Sequence, residues 1–425
     1  VSDPVRATAF DVLRAVDERD AYVNLLLPTL LRERKITGRD AGLATELTHG
    51  TLRGRGTYDA ILGHLSRQGI EGIDPPVLDA LRLGTHQLLG MRIPAHAAVS
   101  TTVDLVRRTS GHKPVGFANA LLRRVGEKDL DTWVAELTSG LDEDQSLSIR
   151  TSHPVWIVRA LRDALGADGD LRALLDADNL PPKVTLVARP GLSDPADLPG
   201  KPGRWSPYAR ILDGGDPGEI AAVRGGRAGV QDEGSQLVAL TLAEAAVDGQ
   251  DDRWLDLCAG PGGKAALLGA LAAQRGAHLV ANEVQRHRAE LVQQALRQLP
   301  DVEVTVHDGR HGPWEPESFD RVLVDAPCTG LGALRRRPES RWRRTPQDLD
   351  TLVPLQRELL GRALDLTRPG GVVAYATCSP HRAETVEVVD VVVSARPDVT
   401  VEADHQWWPH LHGTDAMFCA LLRRG

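Results

Sequence analysis

The sequence predicts an α/β chain: a doubly wound, mostly parallel sheet in its C-terminal half, preceded by an all-α domain and a small α+β module. Three observations predict it. From Trp254 onward, apolar strand-length runs alternate with helix-length stretches, the spacing of a parallel sheet covered on both faces. The first of these strands ends in Gly260-Pro261-Gly262-Gly263 and turns into a helix, which is how such a sheet opens a ligand crevice. The N-terminal part instead carries apolar residues at helical spacing throughout. At 425 residues the chain exceeds one ordinary core. The expected domains are 1–145, 146–229 and 230–425.

In the helical domain, Phe10, Leu13 and Val16 share one face, and Leu25, Leu26, Leu30 and Leu31 share another. Asp74-Pro75-Pro76 reads as a helix start, because proline costs nothing in the first turn. The acidic stretch 127–150 reads as a helical linker. Residues 183–230 hold short strands (KVTLVA, ARIL) among many Gly and Pro residues. VQDEGSQ, from Val230 to Gln236, opens the last domain. Its strands are Trp254 to Leu257, HLVANE, VEVTVHD, RVLVDAP and GVVAYATCS, with helices at 265–272, 286–299 and 348–366.

Composition narrows the class. Hydrophobic residues make up 42% and charged residues 25%, as in a folded globular chain, and no apolar run reaches membrane-spanning length. VSDPVRATAF resembles neither a signal nor a transit segment, so a cytoplasmic location is expected. Aromatics are only 4%, too few for wide base-stacking platforms. The four cysteines form no Cys-x-x-Cys pair, so neither a metal site nor a disulfide framework is expected. The net charge of −8 decides little about partners, because residues 1–126 are slightly basic, with 17 Lys and Arg against 13 Asp and Glu.

In a doubly wound sheet, ligands sit beyond the carboxyl ends of the strands. Those ends carry Cys258, Ala259, Gly260, Pro261, Gly262, Gly263 and Lys264, then Glu283, then Asp308, then Asp325, Pro327 and Cys328, and last Thr377, Cys378 and Ser379. Glu283 falls where an acid can accept both ribose hydroxyls. Neither G-x-G-x-x-G nor a P-loop is present, since Cys258 and Ala265 stand where a P-loop needs Gly and Ser or Thr. A ligand with a ribose but no pyrophosphate remains, and S-adenosylmethionine fits, with Asp308 able to meet the adenine amino group. The two thiols suit cytosine chemistry. C5 of cytosine is a poor nucleophile until a thiolate adds at C6, and covalent catalysis divides the reaction in this way. Asp325, three residues before Cys328, can share a proton with N3 of the same base.

These residues carry a resemblance. LCAGPGGK, VDAPCTGLG and YATCSP together resemble the RNA 5-methylcytosine methyltransferases of the Sun/RsmB type. R-x-x-A-x-x-V-L, ATELTHGTLR, ALRLGTHQLL and GFANALLRRV in that order resemble the NusB fold, an RNA-binding helical domain. The resemblance implies a Rossmann-like S-adenosylmethionine-dependent methyltransferase domain behind a NusB-like domain, with small-subunit (16S) ribosomal RNA as substrate. It implies Cys378 as the nucleophile and Cys328 as the thiol that assists release of the methylated RNA. It also implies cofactor contacts from the loop Cys258 to Lys264 and from Glu283, Arg288, Asp308 and Asp325. The chain departs from the family pattern at Gly260, where alanine is usual, and at Glu283, where aspartate is common.

RRRPESRWRR, directly after the Cys328 turn, is the expected RNA clamp, with Arg335, Arg336, Arg337, Arg341 and Arg343 on phosphates and Trp342 stacked on a base. A solvated loop is the plainer alternative. Two other functions compete with the main reading: a non-catalytic RNA-binding assembly factor, and a DNA cytosine methyltransferase with its nucleophile in the Pro327-Cys328 turn. A monomer acting on RNA, without membrane attachment, is expected.

Overall fold

The computed structural model describes residues 3–425, which divide into two compact units. The first takes the chain up to Arg162, then Asp168–Leu180 and the separate segment Leu334–Arg344. The second takes Asp163–Ala167, Pro181–Ala333 and Thr345–Gly425. No helix among the described residues is long and apolar enough to cross a membrane.

The first unit is all-helical. Asp3 starts it by accepting the backbone N–H groups of Val5 and Arg6, each at 3.1 Å, with Pro4 in the first turn of the helix Pro4–Arg19. Phe10, Leu13 and Val16 face a core that also holds Leu47 and Ile61 of Gly38–Leu65, Leu81 of Pro75–Leu89, Leu105 of Ala95–Ser110 and Leu122 of Val115–Val125. In the helix Val23–Glu33 the buried residue is Leu27, four positions after buried Val23, while Leu25 is 65% exposed. Leu25 is therefore not part of the apolar face expected of it. Nor is the stretch 127–150 a linker. Trp133, in the helix Leu130–Thr138, is buried in the same core and donates its indole N–H to Val125 O at 2.9 Å.

The arginine-rich segment completes this unit from within. Arg341 is fully buried, and its guanidinium donates to Ser152 O (3.1 Å), Asp178 O (2.9 Å) and Asn179 Oδ1 (2.8 Å). Ser152 and Asp178 are the C-caps of the helices Glu143–Thr151 and Leu171–Ala177, whose last carbonyls have no intrahelical partner and attract a cation. Arg343 donates to Val16 O (2.9 Å) and Ala21 O (2.6 Å) at the end of the first helix. Trp342 packs where Gly56 leaves room; a Cβ there would stand 2.5 Å from the indole ring. Arg335 is buried, and Arg337 lies over the ring of Tyr22 at 5.1 Å. The expected RNA clamp is thus corrected: Arg335, Arg341, Trp342 and Arg343 are structural. Arg336 is half-buried, and Arg337 alone of the six is exposed.

The second unit holds two sheets. The smaller is antiparallel, in the order β2-β3-β1-β4, from β1 (Thr185–Ala188), β2 (Lys201–Pro202), β3 (Ala209–Ile211) and β4 (Ala228–Val230). The expected bounds 146–229 set it apart from the catalytic domain, but it lies in the same compact unit as the larger sheet. Val187 shares a core with Val238 and Leu268, and Arg189 donates to Ala295 O at 2.7 Å. The larger sheet contains β5 (Arg253–Asp256), β6 (His278–Asn282), β7 (Val302–Thr305), β8 (Phe319–Asp325), β9 (Thr367–Thr377), β10 (Val399–Trp407) and β11 (Met417–Arg424). Their order is β10-β11-β9-β8-β5-β6-β7, and only β11 runs against its neighbours. Every residue of β8 but Asp325 is buried, as a strand covered on both faces requires. The order reverses between β5 and β8, and a doubly wound sheet opens its crevice at that point.

Replacing Arg341 with Met would leave two helix ends without their donor. The expected loss is about 3 kcal/mol or more of stability, the cost of leaving buried polar groups unpaired. Thermal unfolding followed by circular dichroism checks it, and an unchanged midpoint would return Arg341 to the surface.

Candidate active site

The turn after β5 carries the loop Cys258 to Lys264, and the helix Gly263–Gln274 leaves it. Gly262 is the N-cap of that helix with φ +107°, a left-handed conformation suited to glycine, and a Cβ there would stand 2.7 Å from the Cβ of Ala295. Pro261 and Gly263 are exposed, while Ala259 and Gly260 are buried. At Gly260 a Cβ would stand 2.0 Å from Glu283 Oε2. Glu283 is buried at the end of β6, where its Oε1 accepts Gln285 N–H at 2.9 Å. Arg288 donates to Gly260 O at 2.5 Å and stands 3.5 Å from Glu283, so it braces the loop. Asp308, beyond β7, is held by Arg310 through Nε (3.0 Å) and Nη2 (2.7 Å), and those bonds hold its carboxyl down at about 2.

The two expected thiols meet. Cys328 follows β8 and Cys378 follows β9, and their sulfurs are 3.4 Å apart, both half-buried. The hydrogen bond to Cys378 and then burial push the Cys328 thiol well up, with the charges of Glu384 and Asp325 adding to it. Cys258 is pushed well up by burial and the charge of Asp256, so it stays a neutral thiol. Beside the pair, Lys264 Nζ lies 2.9 Å from Asp325 Oδ2. Burial opposes the lysine's charge, but Asp325 outweighs it and raises its pKa, and the charge of Cys378 adds in the same sense. An ammonium in this position favours a thiolate at Cys378.

Some groups around the loop escaped the sequence reading. Asp256, the last residue of β5, is fully buried, and its Oδ2 has no hydrogen-bond partner. Burial, then the charge of Asp325, pushes its carboxyl up to about 8. Gln231 is buried with both amide atoms unpartnered, 3.9 Å from where a Cβ on Gly263 would stand. Its sequence signal is the VQDEGSQ stretch that opens the domain. Buried polar groups are rarely left unpaired, so these atoms call for a polar ligand beside the loop. Val284 and Val306, two residues and one residue beyond the paired Asn282 and Thr305 of β6 and β7, are 58% and 38% exposed and offer an apolar surface next to the acids. A purine, a ribose and a charged amino-acid end are the three parts of S-adenosylmethionine. The apolar pair, Glu283, and the Asp256, Gln231 and helix N-terminus group suit them in that order.

Comparison with known proteins gives the family and the fold. Residues 245–423 match the family model for 16S rRNA methyltransferase RsmB/F, and residues 3–127 match that of the NusB family. The protein Rv1407 of Mycobacterium tuberculosis is 53% identical, covering 99% of this chain and 97% of its own. Ribosomal RNA small subunit methyltransferase B of Pseudomonas putida is 34% identical, covering 92% and 89%. The crystal structure of PH0851 has the same fold, with a TM-score of 0.83 at 20% identity, covering 100% of this chain and 99% of that one.

Two expectations follow from the loop. Gly260→Ala drives a methyl group into the Glu283 carboxyl and should weaken binding of S-adenosylmethionine about tenfold or more, whereas adding Glu283→Asp, one methylene shorter, should restore most of the loss. Calorimetric titration of the single and double variants checks this, and additive losses would show that the two positions are independent. Asp256 has a folded pKa of about 8 against an ordinary 3.8, so the folded chain keeps a proton that the unfolded chain releases. Stability from this group is lost as pH rises from about 4 to 8 and is flat above. Asp256→Asn should therefore gain stability relative to the parent between about pH 5 and 8, read from denaturant midpoints.

Proposed function

Because the chain belongs to the RsmB/F family of 16S rRNA methyltransferases, we propose that it methylates C5 of a cytosine in small-subunit ribosomal RNA through a covalent thiol adduct. The observation that carries the reading is the pair of thiols 3.4 Å apart beside the Lys264–Asp325 ion pair. S-adenosylmethionine is the cofactor and supplies an electrophilic methyl group on a sulfonium centre. The loop from Cys258 to Lys264 seats it, with Glu283 at the ribose and Asp256 and Gln231 at the amino-acid end.

Cys378, favoured as thiolate by the ammonium of Lys264, adds through Sγ to C6 of the base. Asp325, held by its ion pair with Lys264, shares a proton with N3 as charge builds up on the ring. C5, now enamine-like, would take the methyl group as its bond to the sulfonium sulfur breaks and leaves the electron pair on that sulfur. Release needs the C5 proton to leave to a base, while the C–H electron pair reforms the C5–C6 double bond. The C6–S bond then breaks, and its pair returns to the sulfur of Cys378. Cys328 assists this step from 3.4 Å away. The NusB-like helical unit supports an RNA substrate over DNA, and the intact thiol pair supports an enzyme over a non-catalytic assembly factor.

Cys378→Ala should abolish transfer of tritiated methyl groups to 16S ribosomal RNA, and retained transfer would refute the assignment. Cys328→Ala should trap a protein–RNA adduct that survives denaturing electrophoresis. An adduct trapped by Cys378→Ala instead would exchange the two roles.

A further inference from the structure

One buried carboxyl that holds the Cys328 turn belongs to neither cysteine motif. Glu384 closes the short turn Arg382–Glu384, six residues after Cys378, and is fully buried. Its Oε1 accepts the backbone N–H of Thr329 (2.8 Å) and the side-chain amide of Gln356 (3.1 Å), and its Oε2 accepts the Thr329 hydroxyl. The same Gln356 amide donates to Pro327 O at 2.8 Å. The C=O of Pro327 and the N–H of Thr329 belong to the two peptide groups that flank Cys328. Both are therefore fixed by one buried pair, Glu384 and Gln356. The hydroxyl of Tyr375, on β9, donates to Glu384 O at 2.7 Å, and Thr329 Oγ1 lies 3.0 Å from Ser379 Oγ, next to Cys378. The pair thus ties the Cys328 turn to the strand that carries Cys378.

A buried carboxyl is costly to keep, and it repays that cost only through what it holds. Here it holds the backbone of one catalytic turn. We propose that Glu384 is a positioning residue for product release: with Gln356 it locks the peptide groups on both sides of Cys328, keeping that thiol against the sulfur that must leave the base. This rests on the covalent reading above and assigns a residue to its second half. Addition of Cys378 to the base does not use Cys328, so the effect of losing Glu384 falls on the breakdown of the adduct and spares its formation. A role in stability alone would slow both steps together.

The test uses the full-length chain, 16S ribosomal RNA transcript and S-adenosylmethionine, with adduct and methylated RNA followed over time. Glu384→Ala should resolve the adduct about tenfold or more slowly, the effect of roughly one lost positioning hydrogen bond, and so accumulate it, while its rate of formation changes little. Glu384→Gln keeps an acceptor for Thr329 N–H and should recover most of the release rate. Gln356→Ala, which frees Pro327 O, should accumulate adduct as well, and it carries the test if Glu384→Ala does not fold. Adduct that forms and resolves at parental rates in Glu384→Ala overturns the proposal, as does a Glu384→Gln variant that releases no faster than Glu384→Ala. Absence of adduct in both Cys328→Ala and Cys378→Ala overturns the covalent reading and this proposal with it. Adduct in Cys378→Ala alone exchanges the roles and overturns this proposal, and adduct in Cys328→Ala but in neither Glu384→Ala nor Gln356→Ala overturns the proposal alone.

Discussion

The parallel pairing of β8 with β9 is the constraint on which the site depends. Asp325 pairs with Ala376, and the ladder continues past the end of β8 when Ala326 N–H donates to Ala376 O at 2.9 Å. Cys328 and Cys378 each follow that register by two residues, so their turns leave the sheet side by side. The N–H of Gly332 then donates to Cys378 O at 2.8 Å and returns the first turn to the second. A register slip would turn every side chain of one strand to the opposite face and part the thiols.

Around this frame the chain keeps an unusual amount of acid out of water. Asp256 is buried at the head of β5, Glu283 at the head of β6, and Glu384 beneath the Cys328 turn. Each is tolerated for a different reason. Asp256 retains its proton to about pH 8, Glu283 is braced by Arg288 and a backbone N–H, and Glu384 is satisfied by Thr329 and Gln356. The two departures from the family pattern also belong together. Glu283 reaches further than aspartate would, and Gly260 leaves the space into which it reaches.

The arginine-rich segment shows how far local composition can mislead. Clustered guanidinium groups suit phosphate, but they equally suit the unpaired carbonyls at helix ends, and three helix ends in the N-terminal unit take Arg341 and Arg343 for that purpose. Charge density is the same in both cases. What differs is whether the side chain is surrounded by helix termini or by water.

Much of the chain could be read from the sequence because its signals are short-range. A strand running into glycines, reactive groups at successive strand ends, and helical apolar spacing such as Phe10, Leu13 and Val16 all follow from periodicity and from backbone geometry. They determined the layered fold, the crevice and the residues that surround it. The tertiary structure decided which residues face each other across long separations. It set the distance of 3.4 Å between thiols fifty residues apart, the fit of Glu283 against Gly260, and the burial of Arg341 and Glu384. It also added β10 and β11 to the sheet and joined the small β-sheet to the larger one's core. Such features depend on which unmet hydrogen-bonding groups and apolar surfaces come together when the chain closes, and a linear pattern does not contain that information.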